Sequence, residues 1–253
     1  MSPATAEELR TITLSRMLDD HRVVFAGVGA PLVASALAFR LHAPHLTVVL
    51  EGGIIGVTFL DGCLPVSTNE MRAAFGAPML TDITDVFLYA QAGFFDYGVL
   101  GAAQVDRHGN INSSIIGDHD RPSVRLPGSG GANDIASLCN KLLIVTSHES
   151  RRFVEQVDFI TSPGWLAGGT ARNDAGLRHG GPAAVVTELA VFDFHPDSRE
   201  MRLCALQEGV TVDEVRGRTG FELITADAVG QVPPPTSAEL QTLRKLTGVG
   251  APE

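Results

Sequence analysis

Cysteine is scarce in this sequence, with 3 among 253 residues. Cys63, Cys139 and Cys204 show no CxxC spacing, and none lies beside a paired histidine cluster. An odd, scattered set argues against a disulfide framework and against a zinc site, and all three are expected to be buried thiols in a reducing compartment. Long apolar runs are missing too: none reaches the ~18 residues that span a bilayer. The first ten residues, MSPATAEELR, lack the basic-then-apolar order of a signal peptide, which points to the cytoplasm. Positive charge is in short supply, with 19 basic against 29 acidic residues and a net charge of -10. A long polyanion needs a basic footprint, so nucleic acid is excluded as a partner, and nothing indicates a membrane. A small phosphorylated ligand is not excluded, because backbone N–H groups and a local patch are enough to hold one. There are no internal repeats, no GK[ST] after a glycine loop and no GxSxG elbow.

What remains is ordinary globular usage, 44% hydrophobic and 19% charged, in a length that fits one large α/β domain. Residues 5–20 pattern as an amphipathic helix with Thr5 as N-cap and Glu8 completing a capping box. Val23–Phe25 is a short buried strand, Gly27 and Gly29 turn it, and Pro31 stands where a helix begins. That helix runs over 32–41 and stops at HAPH. Residues 46–50 form a second buried strand, giving a βαβ unit and a parallel sheet. Residues 51–80 pattern as a loop region with a short helix. Further strands are expected at 97–100, 141–145 and 184–187. LAVFDFHPDSREMRLCAL reads as a hairpin with HPDSR at its turn. From Val232 three prolines lead into a last helix capped by Thr236 or Ser237. One compact domain, 1–253, is expected, with 232–253 as its helical tail.

Several places invite chemistry. Gly27 and Gly29 begin a GxGxxG, and Glu51 lies 22 positions beyond, near where a ribose-binding acid belongs. Leu32 occupies the third glycine position, however, and Pro31 removes a donor inside the motif, so a dinucleotide-binding module is the weaker alternative. Glu51 itself directly follows a buried strand, at the carboxyl edge of the sheet where α/β proteins bind ligands. Gly52 and Gly53 leave backbone room for a ligand. Position alone fits a solvated acid as well as a nucleophile. PGSGGAND, 127–134, is a glycine-rich loop running into a helix and can present N–H groups to an anion, or be a plain surface loop. VDRHGN is a turn, with Gly109 supplying the freedom and Asp106 and Asn110 bonding their own backbone, and it is as readily a plain structural turn as one near a site. His42 and His45 are spaced HxxH, but Pro44 breaks a shared face and no third ligand is evident. The other histidines, His148 among them, stand scattered among polar residues.

VGAPLVASALAFRLHAPHL, LEGGIIG, GAAQVDRHGNINSSIIGDHDRP, RLPGSGGANDIA, RRFVEQVDFITSPG and TGFEL, spread in order from about residue 20 to 225, resemble the B (β) subunits of family I CoA-transferases. The resemblance implies an open, mainly parallel sheet flanked by helices, the CoA-transferase (NagB/RpiA-like) fold, with a C-terminal helical tail. It implies an enzyme that moves coenzyme A between an acyl-CoA and a dicarboxylic or 3-oxo acid through a glutamyl-CoA thioester. Glu51 takes the place of the family's catalytic glutamate. Gly128, Gly130, Gly131 and Ala132 are expected to supply oxyanion or CoA contacts, with Gly27, Gly29, Gly52 and Gly53 as further backbone approaches. Gln104 and Asn133 are expected near substrate. Coenzyme A enters as substrate and covalent intermediate, with no permanently bound cofactor and no metal. An A (α) subunit is the implied partner, in a heterotetramer or larger. The chain departs from the family at Gly52, where Ser or Asn is usual. Hydrolysis, decarboxylation or ring opening on the same scaffold is the alternative chemistry.

Overall fold

The computed structural model describes residues 3–177 and 179–248. In chain order the first elements are α1 (Ala6–Ser15), β1 (Val23–Ala26), α2 (Ala30–Leu41), β2 (Thr47–Leu50) and β3 (Ile54–Ile55). A short 3-10 turn at Met71–Ala74 precedes β4 (Met79–Leu80), α3 (Ile83–Gln91) and β5 (Tyr97–Gly101). Then come β6 (Gln104–Val105), β7 (Ile111–Asn112), β8 (Ile115–Ile116), β9 (Val124–Arg125), α4 (Ala132–Leu138), β10 (Lys141–Val145) and α5 (Ala171–Asp174). The last are β11 (Pro182–Val186), β12 (Ala190–Phe194), β13 (Met201–Leu206), α6 (Val212–Gly217), β14 (Ile224–Gln231) and α7 (Ser237–Thr247). These divide into two compact units, 1–99 with 235–253 and 100–234, where the sequence pattern predicts one domain.

In the first unit β1 is central: it pairs in parallel with β2, Val24 opposite Val48, and with β5, Val24 opposite Tyr97. All three strands are apolar and buried on both faces, as a parallel core requires. The expected βαβ unit is therefore present, and Pro31 sits in the first turn of α2. β3 and β4 add antiparallel edges. The helical tail packs back onto this unit. Each of α1 and α7 opens with a capping box, Thr5 with Glu8 and Thr236 with Glu239. Each capping glutamate also takes an arginine from the other helix in two-pronged fashion. Arg244 reaches Glu8 at 2.6 and 3.0 Å, and Arg16 reaches Glu239 at 2.7 Å twice. Burial pushes the Glu239 carboxyl up, but Arg16 and the Thr236 cap outweigh it and hold it at about 2.

In the second unit β10 pairs in parallel with β11, and β12 and β13 form the expected hairpin, Phe194 opposite Met201. β14 then pairs in parallel with β13. The VDRHGN turn is as expected: Asp106 Oδ1 accepts from the N–H of His108 and Asn110. Asn110's side chain does not turn back on its own backbone; its Oδ1 accepts from Gly164 and Leu166 instead. His148 is not a surface histidine. It is fully buried, stacked on Phe153 with centroids 4.1 Å apart and on Phe192 at 5.5 Å. Of the three cysteines expected to be buried only Cys139 is: Cys204 is half-buried, and Cys63 is exposed because the 51–80 segment carries little packing of its own. No helix among the described residues is long and apolar enough to cross a membrane.

Burial depresses the His148 pKa to about 4, against a smaller upward pull from Glu188. The folded state therefore holds fewer protons than the unfolded one between about pH 6.5 and 4, and stability falls as pH drops through that window. At a pKa gap this size the loss is about 3 kcal/mol. Urea unfolding at pH 7 and pH 4.5 should show it, and His148→Leu should shrink the difference between the two pH values.

Candidate active site

Leu50 pairs with Ile54 across β2 and β3, so Glu51, Gly52 and Gly53 are the three-residue loop of a tight hairpin. A loop of that length needs one residue with positive φ, and Gly53 supplies it at +95°. Its N–H donates to Leu50 O at 3.1 Å, and its carbonyl accepts from Thr81 N at 2.8 Å. A Cβ on Gly53 would run into the Thr81 carbonyl and stand 2.9 Å from Asp82 N. A Cβ on Gly52 would run into Asn69 Oδ1 and stand 2.6 Å from Thr68 O. Both glycines are thus enforced by neighbouring backbone. Glu51 is half-buried at this tip, and its carboxylate has no hydrogen bond or ion pair to any described residue. A carboxylate held at a strand end by main chain alone, with its oxygens unengaged, is chemically available as a nucleophile or base. Gly27 and Gly29 lie in the same unit, at the β1–α2 joint, and the side-chain space of both is open.

The second group of expected residues lies in the other unit. Gly128 and Gly130 adopt positive φ, +93° and +49°, with open space where a side chain would be. The loop is tied down by Ser113: its carbonyl accepts from Gly128 N at 2.8 Å and its hydroxyl donates to Gly128 O at 2.9 Å. The four expected oxyanion donors are not equivalent. Ala132 N donates to Ser129 O at 2.9 Å and Gly128 N is taken by Ser113, so neither is left for a ligand. The N–H groups of Gly130 and Gly131 have no acceptor among the described residues. Asn133 Nδ2 donates to Thr161 O at 2.9 Å. Gln104 is buried and its amide is engaged at both ends, accepting from Asn112 and the Asp158 N–H and donating to Asp158 Oδ2.

Arg172, which carries no sequence signal, ties the helix α4 that follows this loop to segments 163–164 and 179. It is 1% exposed and its guanidinium makes five hydrogen bonds to four carbonyls, of Ala136, Pro163, Gly164 and His179. Burial lowers its pKa to about 10, so it stays charged at neutral pH. The Ala136 carbonyl lies in the last turn of α4, where a cation meets the negative end of the helix.

One grouping of metal-ligand type occurs among the described residues, Asp20, His21 and His45. The two imidazoles are stacked, centroids 4.4 Å apart and 5° from parallel. Ring lone pairs lie in the ring planes, so in this arrangement they run parallel and do not converge on an ion.

The candidate residues thus lie on a strand–helix–strand unit of α/β type, with a glutamate on the turn after its second strand, and on a separate glycine loop that opens a helix. The chain matches the family model "Coenzyme A transferase" over residues 10–217. It is 38% identical to the B subunit of 3-oxoadipate CoA-transferase from Pseudomonas knackmussii, with 97% of this chain and 94% of the relative covered. It is 32% identical to the B subunit of glutaconate CoA-transferase from Acidaminococcus fermentans, covering 95% and 91%. The crystal structure of glutaconate coenzyme A-transferase from that organism superposes with a TM-score of 0.88 at 28% identity, covering 96% of this chain and 94% of the other. The chain belongs to the coenzyme A transferase family. Family membership accounts for the βαβ unit without a dinucleotide.

Two substitutions test this geometry. Gly53→Ala should destabilise the protein by at least ~2 kcal/mol, since strained positive φ and a backbone collision act together, read as a fall in the midpoint of urea unfolding. Arg172→Met should cost more, roughly 3–5 kcal/mol, because carbonyls buried around a cation lose their donors at once. Hydrogen exchange should then show faster exchange in α4.

Proposed function

We propose that this chain is the nucleophile-bearing subunit of a CoA-transferase that moves coenzyme A between an acyl-CoA and a dicarboxylic or 3-oxo acid, working with an A-type partner. The observation that carries this reading is Glu51, a carboxylate fixed by the Leu50–Ile54 hairpin yet unengaged. The full-length relatives named above are B subunits of enzymes for 3-oxoadipate and glutaconate, which supports both the acid class and the partner.

In the proposed reaction a Glu51 oxygen attacks the thioester carbonyl of the acyl-CoA. The carbon–sulfur bond breaks, giving a mixed anhydride and CoA thiolate. The thiolate then attacks the glutamyl carbonyl, the donor acid leaves as its carboxylate, and Glu51 carries CoA as a thioester. The acceptor carboxylate repeats the sequence in reverse, so no net proton or electron is consumed. Splitting one exchange into two covalent halves predicts ping-pong kinetics. Each tetrahedral intermediate bears an oxyanion, and loss of one fixed N–H donor typically costs about 2.7–4 kcal/mol in barrier. The amides of Gly130 and Gly131 are the candidates for that role, narrowed from four by the hydrogen bonds that occupy Gly128 and Ala132. Gly27 and Gly29, whose side-chain space is open, are proposed as backbone that lets CoA approach, whereas the space beside Gly52 and Gly53 is taken by Thr68, Asn69 and Thr81 and is not offered to it. Binding of the remote CoA moiety helps drive attack by a weak nucleophile. The partner completes substrate binding in a heterotetramer or larger, and coenzyme A is the only cofactor-like group the reaction requires.

The isolated chain should show no transfer, and activity should appear with its A-type partner. In that complex Glu51→Gln keeps shape but removes the attacking oxygen. Transfer should fall by several orders of magnitude with folding intact. Glu51→Asp withdraws the carboxylate by about 1 Å, worth ~100-fold. Incubation with acyl-CoA and no acceptor should add a CoA-sized mass to the peptide holding Glu51. Full activity in Glu51→Gln, or an adduct on another residue, would overturn the assignment.

A further inference from the structure

Residue 52 cannot carry a side chain, because Thr68 O and Asn69 Oδ1 occupy the space beside its Cα. What fills that space is a carboxamide from seventeen positions further along the chain. Its loop is held by local hydrogen bonds. Asn69 N donates to Ser67 Oγ at 3.3 Å, and Glu70 N to Ser67 O at 3.2 Å. Glu70 Oε2 accepts from Val66 N at 2.8 Å, and Glu70 Oε1 pairs with Arg72 at 2.6 Å. The Asn69 side chain itself makes no hydrogen bond to any described residue, and Asn69 is exposed. A carboxamide has two donor hydrogens and an acceptor oxygen. Here it is packed against the residue next to Glu51, neutral, and with its donors unspent.

We propose that Asn69 is a positioning residue for the transfer reaction. Its carboxamide, seated where the side chain of residue 52 would be, holds the Glu51 turn from one side and donates from Nδ2 to the acyl group presented to Glu51. A neutral donor suits this place. A cation would pair with Glu51 and quench it as a nucleophile, whereas a second carboxylate would repel it and raise its pKa. The Thr68 carbonyl, being main chain, bars any side chain at 52 whatever stands at 69, so the polar group has to come from the loop.

This inference rests on Glu51 being the nucleophile. Its test uses the complete enzyme with its partner and two variants. Asn69→Ala removes the amide. It should lower kcat/KM about 10- to 100-fold, the effect of one lost hydrogen bond to a charged transition state, with the loss mainly in kcat and the unfolding midpoint unchanged. Asn69→Asp keeps the shape and puts a carboxylate beside Glu51. It should move the acid limb of the pH–kcat/KM profile upward by about one unit, the direction in which a like charge packed against the neighbouring residue acts, and Asn69→Ala should not. The pH shift reads only how near position 69 lies to Glu51, whereas the kcat loss reads the donor, which a residue that only packs would not show. Unchanged kcat in Asn69→Ala, or an unmoved pH profile in Asn69→Asp, would overturn the proposal. If Glu51→Gln is inactive in the same preparations, that failure belongs to Asn69 alone, and the nucleophile stands.

Discussion

The main chain of Thr68 and Thr81 presses against the two glycines that follow Glu51, and the candidate site depends on that contact. It forces residues 52 and 53 to be glycine and closes β2 onto β3 with three residues, and the glutamate at the tip has no side-chain partner among the described residues. A carboxylate confined by ion pairs would be better ordered but less nucleophilic. Here the order comes from packed backbone, which leaves the oxygens free. The cost is a segment, 51–80, with few buried side chains and several exposed apolar ones, including Val66, Met71 and Phe75.

The two units hold their functional loops by different means. The hairpin around Glu51 relies on close approach of backbone. The glycine loop at 128–131 relies on polar groups, with Ser113 gripping Gly128, and the helix α4 after it is held by Arg172, which draws four carbonyls together. A buried guanidinium without a carboxylate partner is tolerable because the carbonyls around it are themselves in need of donors. Removing either side of that arrangement leaves the other unsatisfied.

Much of this is legible in the sequence where local chemistry decides the outcome. The Thr5–Glu8 capping box, the β12–β13 hairpin and the Asp106 turn rest on residues close in sequence, and the βαβ unit on successive strand and helix patterns, so pattern alone finds them; for the last helix the pattern offers a cap at Thr236 or Ser237, and it is the structure that adds Glu239 to complete a box. The misses are tertiary. α3 shows no clear apolar face because only Val86 and Ala90 are buried on it, although its Asp82 cap, accepting from Asp85 N, is there to be read. β3 and β4 are two residues long and exist only through pairing. Arg172 sits in ARNDAG, which patterns as surface, and His148 in SHES does the same; contacts 7 to 71 residues distant bury them. Glu51 is visible from its strand and its glycines, whereas Asn69 has no local signature at all. Nothing in the glycine loop's letters tells that Ala132 and Gly128 have already spent their N–H groups.

The clasp between α1 and α7 has a bearing on the order in which the molecule is assembled. Glu8 waits for Arg244, and Arg16 for Glu239, across 236 and 223 residues. During synthesis the second unit is continuous in the chain and can close as soon as residue 234 has emerged. The first unit, though begun earlier, stays open at α1 until the final helix leaves the ribosome. Loop-closure entropy grows only slowly with length, so the separation itself is a modest burden. The consequence is one of timing: the unit that carries Glu51 is the first begun and the last completed, so it is exposed longest as an unfinished intermediate.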